Sequence, residues 1–389
     1  MKAGKALTIA GIMSGTSADG IDVALVRIAP RGFGLKLRLL AHRAFPFPKT
    51  LRQAILASMD AQSIATAELA RLHWRLGIAY AEAVRATIED THIHPDLIGC
   101  HGQTIYHQGA AAPYAGKRFA CTWQLGEPAL IAAELRVPVV SNFRPADMAV
   151  GGQGAPLVPL LDYMLFAHPK RARVLQNIGG IGNLTVIPAA AAQNKLIAFD
   201  TGPGNMIIDA LMQKLFGKAF DRGGKTASKG EILDPVLRAT LKEKFFSQQP
   251  PKSVGREQFG APYAERFLAA CRRHSRSPED AIATATALTA ESIHQAVNQW
   301  VLPLTSPSPT DFIVSGGGAR NLTLLAMLRD RLVPLGCTVS TSEATIPVEA
   351  KEAAAFALLA YQTWNHRPGN IPSATGAARP VILGQIAYA

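Results

Sequence analysis

No two of the four cysteines, Cys100, Cys121, Cys271 and Cys337, have C-x-x-C spacing. That argues against a zinc ribbon and a thioredoxin-like motif, and free thiols suit a reducing cytoplasm. No stretch approaches ~20 uninterrupted apolar residues, so no membrane span is expected. A long basic run with interleaved aromatics is also missing. The net charge of +12, from 40 basic and 28 acidic residues, is scattered, and its densest spots are Lys170, Arg171 and Arg173, then Arg222, Lys225 and Lys229. A nucleic-acid partner is therefore not expected, and a basic surface suits phosphate or carboxylate substrates. Charged residues make up only 17% and apolar residues 48%, which excludes a disordered chain. A length of 389 residues points to two domains.

Lys2 and Lys5 precede an apolar run, Ala6 to Met13, that mimics a secretion signal. No small-residue cleavage site follows it, and a second strand-like run, Ile21–Ile28, comes after a Gly/Ser/Thr turn. The pattern reads as strand–turn–strand. A helical region is expected over about Leu51–Asp90, with strands at Leu97–Cys100, Val137–Ser141, Val174–Ile178, Asn183–Ile187, Leu196–Phe199 and Phe312–Ser315. Helices are expected at Ala129–Leu135, Asn205–Phe216, Thr284–Val301, from near Asn321, and at Glu349–Trp364. Strands alternating with helices, with glycines at the joints, indicate an α/β protein. The boundary is placed at residue 142.

Several glycine-rich segments can carry chemistry. Gly11–Gly20 is a hairpin turn with Ser and Thr hydroxyls, suited to phosphate contacts, although no Lys follows as in a P-loop. Asp19 and Asp22 close it, where a carboxylate can hold Mg²⁺. Asn177–Asn183, with Gly179, Gly180 and Gly182, repeats that logic. Gly316, Gly317 and Gly318 lead from a strand into a helix, a place for an anion or a flat ring or simply for close packing. Asp200 ends a strand before Thr201-Gly202-Pro203-Gly204, where it either accepts a proton or caps the next helix. His101–His107 concentrates polar groups after a strand, and its histidine spacing argues for a substrate loop over a metal site. Arg144 can grip a carboxylate bidentately or pair with Asp147. Glu352, in an Ala-rich helix, reads alone as a solvated glutamate.

The ordered series M-S-G-T-S-x-D-G-I-D, H-G-Q-T-I-x-H, G-G-Q-G-A-P-L-V-P, N-I-G-G-I-x-N, F-D-T-G-P-G-N and S-G-G-G-A-x-N resembles the anhydro-N-acetylmuramic acid kinases from about Gly11 to the C-terminal end. The resemblance implies two actin-like (ribonuclease-H-like) α/β domains with an ATP cleft between them, drawn at residues 1–142 plus 365–389 and at 143–364. It implies ATP and Mg²⁺ as cofactors, a cytoplasmic enzyme and 1,6-anhydro-N-acetylmuramic acid as the small-molecule partner, with a kinase for another amino sugar as the alternative. A homodimer is an admitted assembly. By the same resemblance Asp200 is the catalytic base. Ser14, Gly15, Thr16, Ser17, Ala18, Asp19, Gly20 and Ile21 line the ATP phosphates, with Asp19 nearest Mg²⁺. Gly179 and Gly180 also meet ATP, Gly316, Gly317 and Asn321 border the adenosine, and Thr104, Arg144 and Glu352 contact the sugar. Ala18, where a larger apolar residue is expected, and Pro145-Ala146, where polar residues are expected, depart from the pattern.

Overall fold

The computed structural model describes residues 5–31, 34–59, 61–191, 195–254, 256–341 and 346–389. The chain forms two units, Met1–Leu165 with Ala344–Ala389, and Phe166–Glu343.

The first unit is built on β1 (Leu7–Ser14), β2 (Gly20–Arg31), β3 (Gly34–Pro46), β4 (Leu97–Tyr114), β5 (Lys117–Leu125) and β6 (Val139–Ser141). β1, β2 and β3 form an antiparallel meander, and β4 joins β1 in parallel with β6 beyond it. All eight residues of β1 are buried. A strand covered on both faces needs no polar alternation, so its sequence reads as one apolar run. That is why the signal-like stretch is a central strand.

One face of this sheet is closed by the helix Val348–Trp364. Gly11 of β1 lies directly beside Gly99 of β4. A Cβ on Gly11 would collide with the Ala353 carbonyl, and one on Gly99 with the Phe356 carbonyl. Paired glycines thus let the helix backbone lie on the strands. Ala353, Ala354, Ala357 and Ala360, all unexposed, keep the helix side of that contact equally thin.

The second unit contains β7 (Ala172–Ile178), β8 (Ile181–Ile187), β9 (Ile197–Pro203), β10 (Thr310–Ser315) and β11 (Cys337–Thr341), in the order β11-β10-β7-β8-β9. Again three antiparallel strands are extended by two parallel ones. Each unit has the meander-plus-crossover sheet of an actin-like domain, so the α/β expectation holds and the two glycine hairpins occupy equivalent joints. The helix Pro278–Ala296 and the helix Leu322–Leu332 supply much of the second unit's core. A last strand, β12 (Gln385–Ala387), returns to pair with β6 of the first sheet.

The division differs from the expected 142/143 and 364/365. Residues 143–165 and 344–364 group with the first unit. The helix Val348–Trp364 belongs there because it packs on β1, β2 and β4. Asp147, fully buried, binds the 144–154 segment to the C-terminal segment by accepting from Gly154 N–H (2.8 Å), Asn370 Nδ2 (2.7 Å) and Thr375 Oγ1 (2.7 Å). The helical region expected over 51–90 is two helices, Lys49–Met59 and Thr66–Thr91. β3 and the long β4–β5 hairpin were not anticipated, because their solvated faces blur the apolar alternation.

Candidate active site

In the first unit the glycine hairpin leaves the carboxyl end of β1. Its exposed members are Thr16, Ser17 and Asp19, while Ala18 and Ile21 turn into the core. Ala18 has φ of 53°, a left-handed conformation that costs a side chain about 1–2 kcal/mol. Ser14 departs from its expected role. It is 1% exposed, and its Oγ is hydrogen-bonded to the Tyr80 hydroxyl at 2.7 Å and to the Gly102 carbonyl at 3.3 Å. Its hydroxyl therefore faces inward and braces the turn from behind. Gln103 Nε2 adds a second brace by donating to the Gly15 carbonyl at 3.1 Å. The hydroxyls that the turn leaves exposed are those of Thr16 and Ser17.

Asp19 projects into solvent, with Arg52 Nη2 at 3.3 Å. Exposed pairs of this kind are worth about 0–1 kcal/mol, so the carboxylate is readily diverted to a cation. Asp22 is bonded to His42 Nε2 at 2.8 Å.

Arg144 follows β6 at the start of a short helix, Arg144–Met148. It does not pair with Asp147, whose oxygens are used in the structural network above. Instead its Nε donates to His101 Nε2 at 3.0 Å and its Nη1 to the Gly154 carbonyl at 2.6 Å. A His nitrogen that accepts from a guanidinium must belong to a neutral ring. Burial, with the Arg144 charge in support, pushes the His101 pKa well below its usual value. His107 is lowered by the same two causes. Burial also brings Arg144 itself down to about 10, which leaves it charged at neutral pH.

Glu352 is an exposed residue whose carboxyl pKa is raised by desolvation, lowered by the Arg144 charge and raised by that of Asp22. Arg144 is thus in direct contact with His101, and its charge is felt at His107 and Glu352. Thr104 makes a different contact, accepting from Gln124 Nε2 across the hairpin at 3.1 Å.

In the second unit the glycine turns meet at the carboxyl ends of β7, β9 and β10, where open α/β sheets bind ligands. The carbonyls of Gly179 and Gly180 accept from the N–H groups of Asn205 (2.7 Å) and Gly204 (2.8 Å). Gly316, at φ of 81°, lies against Asn177 and Ile178, and Gly317 beside Asn205. Asn321 is buried and caps the helix Leu322–Leu332 through Oδ1 to Leu324 N–H at 3.0 Å. The Gly224 backbone packs on Asn321 and accepts from Thr323 Oγ1 at 2.8 Å.

Asp200 lies in β9 with its carboxylate off the sheet. Oδ2 accepts from Val254 N–H at 2.8 Å, and its own N–H donates to the Lys252 carbonyl at 2.9 Å. It does not cap the next helix. Burial raises its carboxyl from 3.8 to about 6, opposed by the Val254 hydrogen bond and the Lys252 charge. A carboxylate poised near neutrality and hydrogen-bonded on one oxygen is built to take up a proton.

The sequence reading missed Lys252, Tyr80 and the 221–226 turn. Lys252 is a lone lysine after two prolines, Tyr80 sits in a long helix without distinguishing neighbours, and Asp221 closes its turn through bonds to Thr226 and Ala227 N–H visible only once folded.

The sequence profile of the anhydro-N-acetylmuramic acid kinase family matches residues 7–389. The chain belongs to that family. It is 44% identical over 384 residues to the anhydro-N-acetylmuramic acid kinase of Bacillus cereus (strain ATCC 10987 / NRS 248), covering 98% of both chains. It is 43% identical over 384 residues to that of Bacillus anthracis (strain CDC 684 / NRRL 3495), covering 98% of this chain and 99% of the relative. Among solved structures, a ROK hexokinase from Thermus thermophilus aligns at 13% identity with a TM-score of 0.38, covering 92% of this chain and 99% of that one. As a family member the protein is a kinase acting on a sugar hydroxyl. Among the described residues no helix is long and apolar enough to cross a membrane.

Proposed function

We propose that the protein uses ATP and Mg²⁺ to phosphorylate O6 of 1,6-anhydro-N-acetylmuramic acid while water opens the C1–O6 bridge. The products are N-acetylmuramic acid 6-phosphate and ADP, and the setting is peptidoglycan recycling in the cytoplasm. The four unpaired cysteines suit that compartment. The observation that carries the mechanism is Asp200, held by Val254 N–H with its carboxyl near 6.

In this reading the Asp200 carboxylate takes a proton from water as the water oxygen attacks C1. The C1–O6 bond breaks, and O6 receives the γ-phosphoryl group of ATP, with ADP leaving. The phosphoryl group captures the departing oxygen, so no separate acid is required. General-base help of this type typically contributes about 10²–10⁴-fold, and positioning must supply most of the rest.

The hairpin Gly15–Ile21, Gly179 and Gly180 are assigned to the phosphates, and Gly316, Gly317 and Asn321 to the adenosine. Asp19 fits Mg²⁺ as a single exposed carboxylate, since Mg²⁺ is usually held by one or two carboxylates together with substrate phosphates. No group of three or more metal-binding side chains occurs among the described residues. Arg144 is assigned to the lactyl carboxylate, with Glu352 and Thr104 on the sugar. A second reading, a kinase for an amino sugar without the lactyl ether, is favoured by one feature: Arg144 already donates to His101 and Gly154 and stands beside Glu352.

The test combines the purified protein, 1,6-anhydro-N-acetylmuramic acid, Mg²⁺ and ATP in ¹⁸O-labelled water. ADP and a 6-phosphate carrying ¹⁸O at C1 should appear together, and Asp200→Asn should make little of either. Phosphorylation without ¹⁸O at C1 would sink the water-attack mechanism. Faster turnover of an amino sugar lacking the lactyl group would establish the second reading.

A further inference from the structure

Lys252 is 6% exposed, which is unusual for a lysine, and it neighbours the proposed base. Its ammonium donates to the carbonyls of Phe245 (3.0 Å) and Phe246 (3.3 Å) and lies 4.6 Å from the centre of the Phe245 ring. Phe246 in turn stands against Gly202, two residues beyond Asp200 on β9. From the same segment, the Lys252 carbonyl receives the Asp200 N–H and the Val254 N–H binds Asp200 Oδ2. The side chain is thus tethered at its far end while the backbone on both sides of the next residue grips the aspartate. The Lys252 charge lowers the Asp200 carboxyl and the Asp200 charge raises the Lys252 ammonium.

We propose that Lys252 is the positioning residue for Asp200: its buried ammonium anchors the 252–254 segment that orients the carboxylate, and supplies the countercharge that keeps it ionised. This rests on Asp200 being the base. Burial draws the lysine down to about 8 while the Asp200 charge raises it, so the pair is charged on both sides between about pH 6 and 8. In that window the base is free to accept a proton. Below it Asp200 is protonated, and above it the countercharge is lost. A merely structural lysine would hold the segment through the same two carbonyls without moving the ionisation of Asp200.

The experiment compares the full-length wild type with Lys252→Met and Lys252→Arg. The acid limb of kcat/KM should move up in Lys252→Met, by no more than about one pH unit, because losing an opposite charge raises a carboxyl and the Lys252 charge is the smallest of the three influences on Asp200. The KM for the sugar should stay within about threefold, since no substrate contact is removed. Lys252→Arg, which keeps the charge, should return the limb toward the wild-type position. ¹³C-carboxyl titration, with Asp200→Asn used to assign the resonance, should show the same upward movement of Asp200. An unmoved limb and an unmoved carboxyl titration in a folded Lys252→Met protein would overturn the inference.

Should Lys252→Met fail to fold, the reciprocal measurement decides. The Lys252 Cε resonance should titrate at lower pH in Asp200→Asn than in wild type, and an unchanged titration would again overturn it. If Asp200→Asn retains full activity, the base assignment fails. The NMR titrations then still test the coupling of the two residues by themselves.

Discussion

Asp200→Asn should remove activity and yet make the protein more stable at neutral pH. The wild-type carboxyl is raised from 3.8 to about 6 by burial. Holding it ionised in the folded state therefore costs about 3 kcal/mol at pH 7. An asparagine carbonyl can still accept from Val254 N–H, so the local hydrogen bond survives. Part of the gain is offset because Lys252 loses its countercharge, leaving about 1–2 kcal/mol net. For a unit the size of Phe166–Glu343, that is a rise in melting temperature of about 2–8 °C. The direction with pH follows from linkage. A carboxyl raised on folding destabilises fully above its folded value, and the penalty fades as pH falls from about 6 toward 3.8. Thermal melts of the unliganded wild type and variant between pH 4.5 and 8 should show the variant's advantage largest at the alkaline end and shrinking through pH 6–4. A variant less stable at pH 8, or an advantage independent of pH, would refute the argument that burial of a charge sets the Asp200 pKa.

Arg144→Met should raise the KM for the lactyl-bearing sugar by about 10–100-fold, the scale of a lost charge-assisted hydrogen-bond pair, with little change in the KM for ATP; steady-state kinetics against both substrates reads this. Tyr80→Phe removes the hydroxyl bonded to buried Ser14, which should cost about 1 kcal/mol in a denaturant titration and raise the KM for ATP a few-fold as the turn loosens. Gly11→Ala places a methyl group on the Ala353 carbonyl and should destabilise the first unit by several kcal/mol, with loss of soluble protein or a much lower denaturation midpoint as the readout.

The local rules of the chain were enough to place several parts of this site. Apolar runs bounded by glycines located β1, β2, β7, β8, the start of β9 and the end of β10, because a covered strand and a tight turn each impose composition over a few residues. The strand before Gly-Pro-Gly was legible for the same reason, but β9 runs on to Pro203 and holds Asp200 within it and not at its end. What the sequence left open were choices between two local outcomes that only distant residues settle. Arg144 does not take Asp147, three residues away, because Asn370, Thr375 and Gly154 already occupy that carboxylate. Ser14 turns inward because Tyr80, sixty-six residues away, offers a buried partner. Glu352 is exposed, as a solvated helical glutamate would be, yet it feels the Arg144 charge because paired glycines in β1 and β4 draw its helix onto the sheet. Lys252 gave no sign in sequence, since its burial depends on carbonyls and an aromatic face brought round by the fold. Turn and strand identity are short-range consequences of backbone sterics and apolar burial; hydrogen-bond partnership and charge environment are long-range, and only tertiary structure decides them.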